Sequence, residues 1–443
     1  MSGIVGVVSE DDCMKDALTC TFYLQNRSEG YSGLAWKNDD NKLKNSTHKG
    51  LIKQSFTKER LRHMQGNYVI GSVSGNREPV SELSNSGGMM LCYDGNLLNY
   101  DEIKNDLLKD NCSFSGYHNP EEICDSVLIS KIIAREPDFE TGIESLIDKM
   151  QGDFAVTALT PQGVYAARGW GRKPLILGKH IEKKSYAVSS ESVSFINPGF
   201  EIVRDVEPGE VVLLDNEGIH SVKKFDLKPI KYGTFEWVYT AHPASVIDGR
   251  SVELARNAIG ALLAKRYGDE IDADIVSPIP NSGRCHSTGV ANVLSKKLGT
   301  DYLEVFKKFD YCGRSFTPGT DVERHEVAEE KLIPVREIIE GKRIVVVDDS
   351  IVRGTQTQIQ TKRLKEMGAK AVYAMIACPP LMAACSYGKS TEKASDCIAQ
   401  RMSLDQIRET RGLDGLFYAT IEDLEEAIQK PREELCLDCW GEN

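Results

Sequence analysis

Residues 343–357 read RIVVVDDSIVRGTQT, and this stretch decides the architecture of the second half of the chain. Ile344–Val347 is a run of branched apolar residues, the pattern of a strand buried on both faces of a parallel sheet. Two acids end it, a glycine-containing loop follows, and TQTQIQTKRLKEMGA continues as a helix. Ligands of open α/β sheets bind outside the carboxyl ends of strands, where this loop falls. Backbone N–H groups of the turn Arg353, Gly354, Thr355, Gln356, Thr357 open a helix and can cradle a phosphate, with the hydroxyls of Ser350, Thr355 and Thr357 completing it. Asp348 and Asp349 lie too close to such a phosphate to bind it themselves. They suit ribose hydroxyls, or a magnesium ion shared with a pyrophosphate.

Outward from this motif, residues from about 250 onward alternate helix and strand. SVELARNAIGALLAKRYG is an amphipathic helix, DADIVSPIP a strand, STGVANVLSKKLG a helix and KAVYAMIACPP a strand. That rhythm predicts βαβ units and a mainly parallel sheet. The first half instead reads as strands and hairpins (SGIVGVVS, YVIGSVSG, MMLCYDGNL, FAVTALT, GVYAARG, EVVLLDNEGI) with helices such as CMKDALTCTFYLQNR and EEICDSVLISKIIARE between them. An α+β layered domain with antiparallel sheets is expected there. The break is placed in DLKPIKYG, giving domains of residues 1–228 and 229–443.

A chain of 443 residues with 41% hydrophobic and 27% charged residues is expected to fold as a soluble protein of two domains. The net charge of −12 argues against a general nucleic-acid or membrane surface, although a local cationic pocket is compatible with it. No apolar run approaches the roughly 20 residues of a membrane span, and no signal peptide is expected. Twelve cysteines in this length suggest a reducing, cytoplasmic setting. At the start, MSGIVGVVSE places Ser2 where loss of Met1 would give one residue both a free amine and a hydroxyl, the equipment of an N-terminal nucleophile.

The Asp-Asp loop resembles the phosphoribosyl-pyrophosphate (PRPP) motif of type I phosphoribosyltransferases. EWVYTAHPASVIDG, read here as a strand, IVSPIPNSG, YCGRSF and EGKRIVVVDDSIVRGT follow one another as in the amidophosphoribosyltransferase family. SGIVGVV, LQNRS, DGNL, SSES and EPGEVVLL have counterparts in that family's glutaminase domain, of the N-terminal-nucleophile, αββα-layered fold. The resemblance covers nearly the whole chain. It implies glutamine hydrolysis in the first domain and attack of ammonia on C1 of PRPP in the second, with pyrophosphate displaced.

The residues needed for the first reaction depart from the family pattern. Ser2 replaces a cysteine, and a hydroxyl titrates far above the roughly 8.5 of a thiol. Ser74 stands for the arginine that clamps the glutamine carboxylate, and a hydroxyl has no charged fork. Asp94, followed by Gly95, stands for an oxyanion-hole asparagine, where loss of one donor costs about 10²–10³ in rate and a carboxylate also repels. Pro120 replaces the acid that holds the substrate amine. Together these changes predict that glutamine is not hydrolysed.

In the second domain the resemblance makes PIPNSGR, residues 278–284, the pyrophosphate loop. Ser282 matches a metal-contacting hydroxyl, Gly283 lies in the loop whose N–H groups hold the leaving group, Arg284 adds charge, and Asn281 replaces an aspartate. KKFDYCGRSFTPGTDVERHEVAEEKL resembles a mobile lid, in which Lys308, Tyr311, Gly313, Arg314 and Lys331 fit the pattern. Asp310 and Glu329 sit where arginines are usual, and Asp321–Lys331 holds five acids against two bases, Arg324 and Lys331. An acidic lid weakens the offset of a departing pyrophosphate.

Cys436 and Cys439 form a C-x-x-C pair. In family members with a [4Fe–4S] cluster these are joined by a cysteine matching Cys385 and by a fourth, at whose place this chain has Gly233. Three ligands admit an iron–sulfur cluster completed by Cys378 or Cys397, a zinc ion, or plain buried thiols. The leading expectation is amino transfer to PRPP with Mg²⁺, fed by free ammonia, another amine or a supplying partner protein, in a homo-oligomer. A non-catalytic PRPP- or nucleotide-binding paralogue and an N-terminal serine amide hydrolase are the alternatives.

Overall fold

The computed structural model describes residues 1–38, 40–114, 123–309, 311, 330–388, 391 and 393–442. The chain folds as two compact units, Met1–Gly233 with Thr240–Ser251 and a short piece beginning at Ser386, and Thr234–Tyr239 with the remaining C-terminal residues.

The first unit is built on two antiparallel sheets. One has seven strands in the spatial order Phe200–Asp205, Ile176–His180, Ser185–Ser189, Gly3–Ser9, Tyr68–Ser74, Tyr31–Lys37, Leu43–Lys49. The other has six, in the order Ile219–Lys224, Glu210–Leu214, Val164–Arg168, Gly152–Leu159, Gly87–Leu97, Val80–Ser84. Gly3–Ser9 shows why the layers form. Its side chains alternate, and both faces are apolar: Ile4 and Val8 join the core between the sheets, while Val5 and Val7 join the core under the helix Met14–Phe22. A strand buried on both faces requires a layer on each side. Helices Asp125–Ala134 and Phe139–Lys149 cover the second sheet through Ile129, Ile133, Ile143 and Leu146. This is the expected αββα sandwich.

The second unit carries five parallel strands in the order Asp301–Tyr302, Ile275–Pro278, Arg343–Asp348, Ala371–Ile376, Gly415–Tyr418. Ile275–Pro278 comes first in sequence and pairs with the second strand on one side and the third on the other. The point where the order reverses therefore lies between Ile275–Pro278 and Arg343–Asp348.

Two details differ from the sequence reading. EWVYTAHP reads as a strand, but Glu236–Thr240 is a π-helical turn. Its carbonyls turn to side chains instead of a neighbouring strand: Arg256 Nε donates to Trp237 O (2.7 Å), and a ring nitrogen of His286 lies 3.1 Å from Val238 O. Residues 229–443 read as one domain, whereas Thr240–Ser251 groups with the first unit. Its Asp248 takes both forks of the fully buried Arg168 (2.7 and 2.9 Å). Glu191 accepts from the N–H of His242 (2.7 Å) and the hydroxyl of Ser245 (2.9 Å). Tyr387 joins the same unit under the guanidinium of Arg172, 3.8 Å from the ring centre. No helix among the described residues is long and apolar enough to cross a membrane.

Glu78 lies wholly inside the first unit, its Oε2 accepting from the N–H of Tyr93 (3.1 Å) and the hydroxyl of Ser72 (3.2 Å). Burial pushes its carboxyl from an ordinary value near 4.5 up to about 7, against the pull of those donors. The folded chain keeps the proton where the unfolded chain releases it. The resulting stability is complete below pH 4.5 and is lost as pH rises through 7, an effect on the order of 3 kcal/mol. Urea unfolding of the Glu78→Gln variant should lack this fall between pH 4.5 and 8; an unchanged profile would assign the dependence elsewhere.

Candidate functional site

Ser2, Ser74 and Asp94 come together in the first unit. The register that pairs Gly3 with Val73 sets Ser2 beside Ser74, with their hydroxyl oxygens 3.0 Å apart. Asp94 reaches them from the second sheet, and its Oδ1 accepts the backbone N–H of Ser2 (2.9 Å). The Asp94 carboxylate has no exposed surface. Its Oδ2 accepts from Arg27 Nη2 (3.0 Å), and Lys173 Nζ lies 3.9 Å from Oδ1. Burial alone would raise this carboxyl; the Lys173 and Arg27 cations, with the N-terminal charge and the Ser2 N–H, outweigh it and hold Asp94 below the usual carboxylate range. Arg27 also donates Nε to Ser2 O (2.7 Å) and Nη1 to Glu191 Oε1 (3.0 Å). Gly95 has no room for a side chain, since a Cβ would stand 2.3 Å from Asp153 O. Pro120 lies outside the described residues.

The outcome is a closed ion network. Asp94 takes up the nearby cations and sets a negative charge against the Ser2 backbone, where acyl transfer would need donors for a developing oxyanion. Loss of Met1 would put an α-amine at the same nitrogen, and a carboxylate 2.9 Å away favours its protonated form, the reverse of what a base requires. Sequence reading missed Arg27 and Lys173 as members of this cluster. The signal was available: an aspartate within the apolar strand MMLCYDGNL requires buried counter-charges.

The second unit brings Ser282, Asp348, Asp349 and Ser350 together at the switch point of its sheet. Pro278 pairs with Val347, so the loops that leave the two strand ends start side by side. One loop leads to Gly283 and the helix Arg284–Leu298, the other to Gly354 and the helix Thr355–Glu366. Neither helix start is capped by a side chain; at the first, the N–H groups of Gly283 and Arg284 donate to Ile279 O (3.0 Å) and Asn281 O (3.2 Å), while the second opens on the turn Gly354–Thr357. The glycines are required. Gly354 has φ +70°, and a Cβ on Gly283 would lie 2.1 Å from Val347 O.

Between the two loops stand the acids. Ser282 Oγ donates to Asp348 Oδ1 (3.1 Å), Asp349 N–H donates to the same oxygen (3.0 Å), and Ser350 Oγ donates to Asp349 Oδ2 (2.6 Å). Burial, then the neighbouring Asp349 charge, pushes the Asp348 carboxyl well above the ordinary range. Among the described residues no lysine, arginine or histidine forms an ion pair with either acid. Asp348, Gln356 and Thr357 line one small cavity of about 10 Å³ with Ile279 and Gln360. Arg284 and Arg353 are both engaged by carboxylates, Glu304 and Asp396 respectively. Lys308 ends the strand Phe306–Lys308, which pairs with Leu332–Pro334, and Tyr311 is 91% exposed. Asp310, Gly313, Arg314, Asp321, Arg324 and Glu329 lie outside the described residues.

Three of the predicted cysteines lie in the C-terminal part of the second unit. Burial, then the neighbouring Cys385 and Cys436, raises the Cys439 thiol, and burial followed by the Asp349 and Cys439 charges raises Cys378. The thiols are therefore neighbours, and Cys439 O accepts from the N–H groups of Met382 and Ala383 (2.9 and 3.1 Å). Yet among the described residues no group of three or more Cys, His, Asp or Glu is arranged to hold a metal ion. Gly233, at the fourth position, groups with the first unit.

The buried network has a measurable consequence. Asp94→Ala removes the carboxylate that faces Lys173 and one of the two that meet Arg27, and should destabilise the chain by about 3–5 kcal/mol in chemical unfolding, whereas Ser2→Ala removes one neutral hydrogen bond, worth about 1 kcal/mol. Equal losses from the two variants would contradict this ranking.

Residues 65–197 match the family model described as a glutamine amidotransferase domain. The chain is 32% identical to the amidophosphoribosyltransferase of Archaeoglobus fulgidus, over 99% of this chain and 96% of that one. It is also 32% identical to the enzyme of the same name from Methanothermobacter thermautotrophicus, over 99% and 93%. Among solved structures, the glutamine PRPP amidotransferase of B. subtilis complexed with ADP and GMP superposes with a TM-score of 0.88 at 29% identity, covering 99% of this chain and 96% of that one. Sequence, sheet order and the paired loops agree, and the chain belongs to the amidophosphoribosyltransferase family, a class of phosphoribosyltransferases.

Proposed function

We propose that this protein joins ammonia, or another small amine, to C1 of PRPP with release of pyrophosphate, and that it does not hydrolyse glutamine. The observation that carries the transferase reading is the meeting of two uncapped helix N-termini at the Asp348–Asp349 pair. In this reading the N–H groups of Gly354–Thr357 hold the 5′-phosphate, with the hydroxyls of Ser350, Thr355 and Thr357, and Arg353 adds charge. The loop at Ser282 and Gly283, with the side chain of Arg284, holds the diphosphate. Asp348 and Asp349 face the ribose hydroxyls.

Hard oxygen donors that meet no cation among the described residues, one of them held above its ordinary range, suit a magnesium ion. Asp348, Asp349 and Ser282 would hold it, and when bound it offsets the charge of the departing diphosphate. The amine lone pair forms the C1–N bond as the C1–O bond breaks, pyrophosphate leaves with that bonding pair, and the nitrogen then loses a proton. Lys308 and Tyr311, at the edge of the lid segment, would help exclude water, with Arg314 joining them from the lid itself. No step is assigned to an iron–sulfur or zinc centre.

The reading without glutaminase rests on Asp94, which consumes the local cations and opposes an oxyanion beside Ser2. It also disfavours a serine amide hydrolase. The first domain then serves as scaffold, and nitrogen arrives as free ammonia or from a supplying partner. One observation favours a second reading, a non-catalytic PRPP- or nucleotide-binding protein: Arg284 and Arg353 are already neutralised by carboxylates.

Pyrophosphate release separates these readings. With PRPP, magnesium and ammonium the protein should release pyrophosphate at least about 10²-fold faster than Asp348→Asn, and glutamine should not replace ammonium. Release no faster than that variant would sink the transferase reading, and tight PRPP binding without release would select the second. Turnover with glutamine would restore the first domain to catalysis.

A further inference from the structure

Arg284, the first residue of its helix, is held on three sides. Nε donates to Glu304 Oε1 (2.8 Å), Nη2 to Glu304 Oε2 (3.3 Å) and Nη1 to Asn281 Oδ1 (2.9 Å). Lys307 Nζ donates to Glu304 Oε2 as well (3.4 Å). Glu304 thus gathers two cations on two oxygens, much as a diphosphate does. Its side chain is 19% exposed and that of Arg284 45%, so the pair sits at the surface of the loop. Partial burial alone would raise the Glu304 carboxyl; the hydrogen bonds and charge of Arg284, with the charge of Lys307, outweigh it and keep the carboxyl below its ordinary range.

We infer that Glu304 is an internal counter-anion that occupies Arg284 and has to be displaced before that arginine can take a diphosphate. The inference rests on the reading of Arg284 as a diphosphate ligand. Its physical content is a threshold. A half-exposed ion pair is weak, so a multiply charged diphosphate, further held by the Ser282–Gly283 loop, displaces the carboxylate. A singly charged anion offers Arg284 nothing better than Glu304 already supplies. The pair therefore reduces affinity slightly and discriminates by charge.

Calorimetric titration of the full chain with pyrophosphate and magnesium tests this. Glu304→Gln keeps the size of the side chain and should bind about threefold tighter than wild type. Arg284→Ala should bind more weakly, and in the double variant most of the gain from Glu304→Gln should vanish, because the carboxylate acts chiefly through the arginine and touches Lys307 by one longer contact (3.4 Å). Unchanged or weaker binding by Glu304→Gln, with Arg284→Ala still impaired, overturns the inference and leaves the reading of Arg284 standing. If Arg284→Ala binds like wild type, the assignment of Arg284 falls and the inference with it.

Discussion

A carboxylate taken out of water has to be met by a cation, by hydrogen bonds or by a proton, and the two units of this protein answer that demand in opposite ways. In the first, Asp94 is met by Arg27 and Lys173, and Arg27 passes the charge on to Glu191. Glu191 in turn fixes His242 and Ser245, so the segment Thr240–Ser251 belongs to this unit. The network is satisfied within the chain. In the second unit Asp348 and Asp349 receive only hydroxyls and a backbone N–H from the described residues, and Asp348 is driven toward its protonated form. A site complete in itself has little to offer a ligand. One left short of positive charge is set to receive it.

The fold of the first unit does not rest on the residues gathered at Ser2. Ser2 lies on the strand edge that pairs with Ser74, and neither the register nor the apolar alternation of Gly3–Ser9 depends on a sulfur nucleophile. The αββα layers are held by Ile4, Val5, Val7 and Val8 and their partners, which are indifferent to the chemistry at the strand end. Geometry in the second unit is less forgiving. A Cβ on Gly283 would meet Val347 O, Gly354 takes a positive φ, and the helices that follow them start without a side-chain cap.

The second site was nearly all legible in sequence, because its parts are local. Apolar run, acids, glycine turn and helix follow one another within residues 343–357, and each has a strong local preference. The first site was legible only in part. Ser2, Ser74 and Asp94 could be singled out by their place in strands, but their counter-charges Arg27, Lys173 and Glu191 come from distant parts of the chain, and nothing local announces which cation meets which acid. The same limit hid Glu304 and Asp396, whose effect is to occupy arginines that sequence reading left free for a ligand. EWVYTAHP failed for a related reason. Its residues favour a strand, yet Arg256 and the His286 ring meet its carbonyls and a π-helical turn results.

By itself, then, the sequence determined the layering of both units, the parallel sheet with its phosphate-type turn, and the residues around which chemistry is to be sought, since these follow from period, turn residues and burial along a short stretch of chain. The tertiary structure alone decided how charge is distributed over those residues: Asp94 met by Arg27 and Lys173, Asp348 and Asp349 without an ion pair among the described residues, Arg284 and Arg353 already held. Charge pairing acts through space over a few ångströms with no regard for sequence separation, so only the folded chain could settle it.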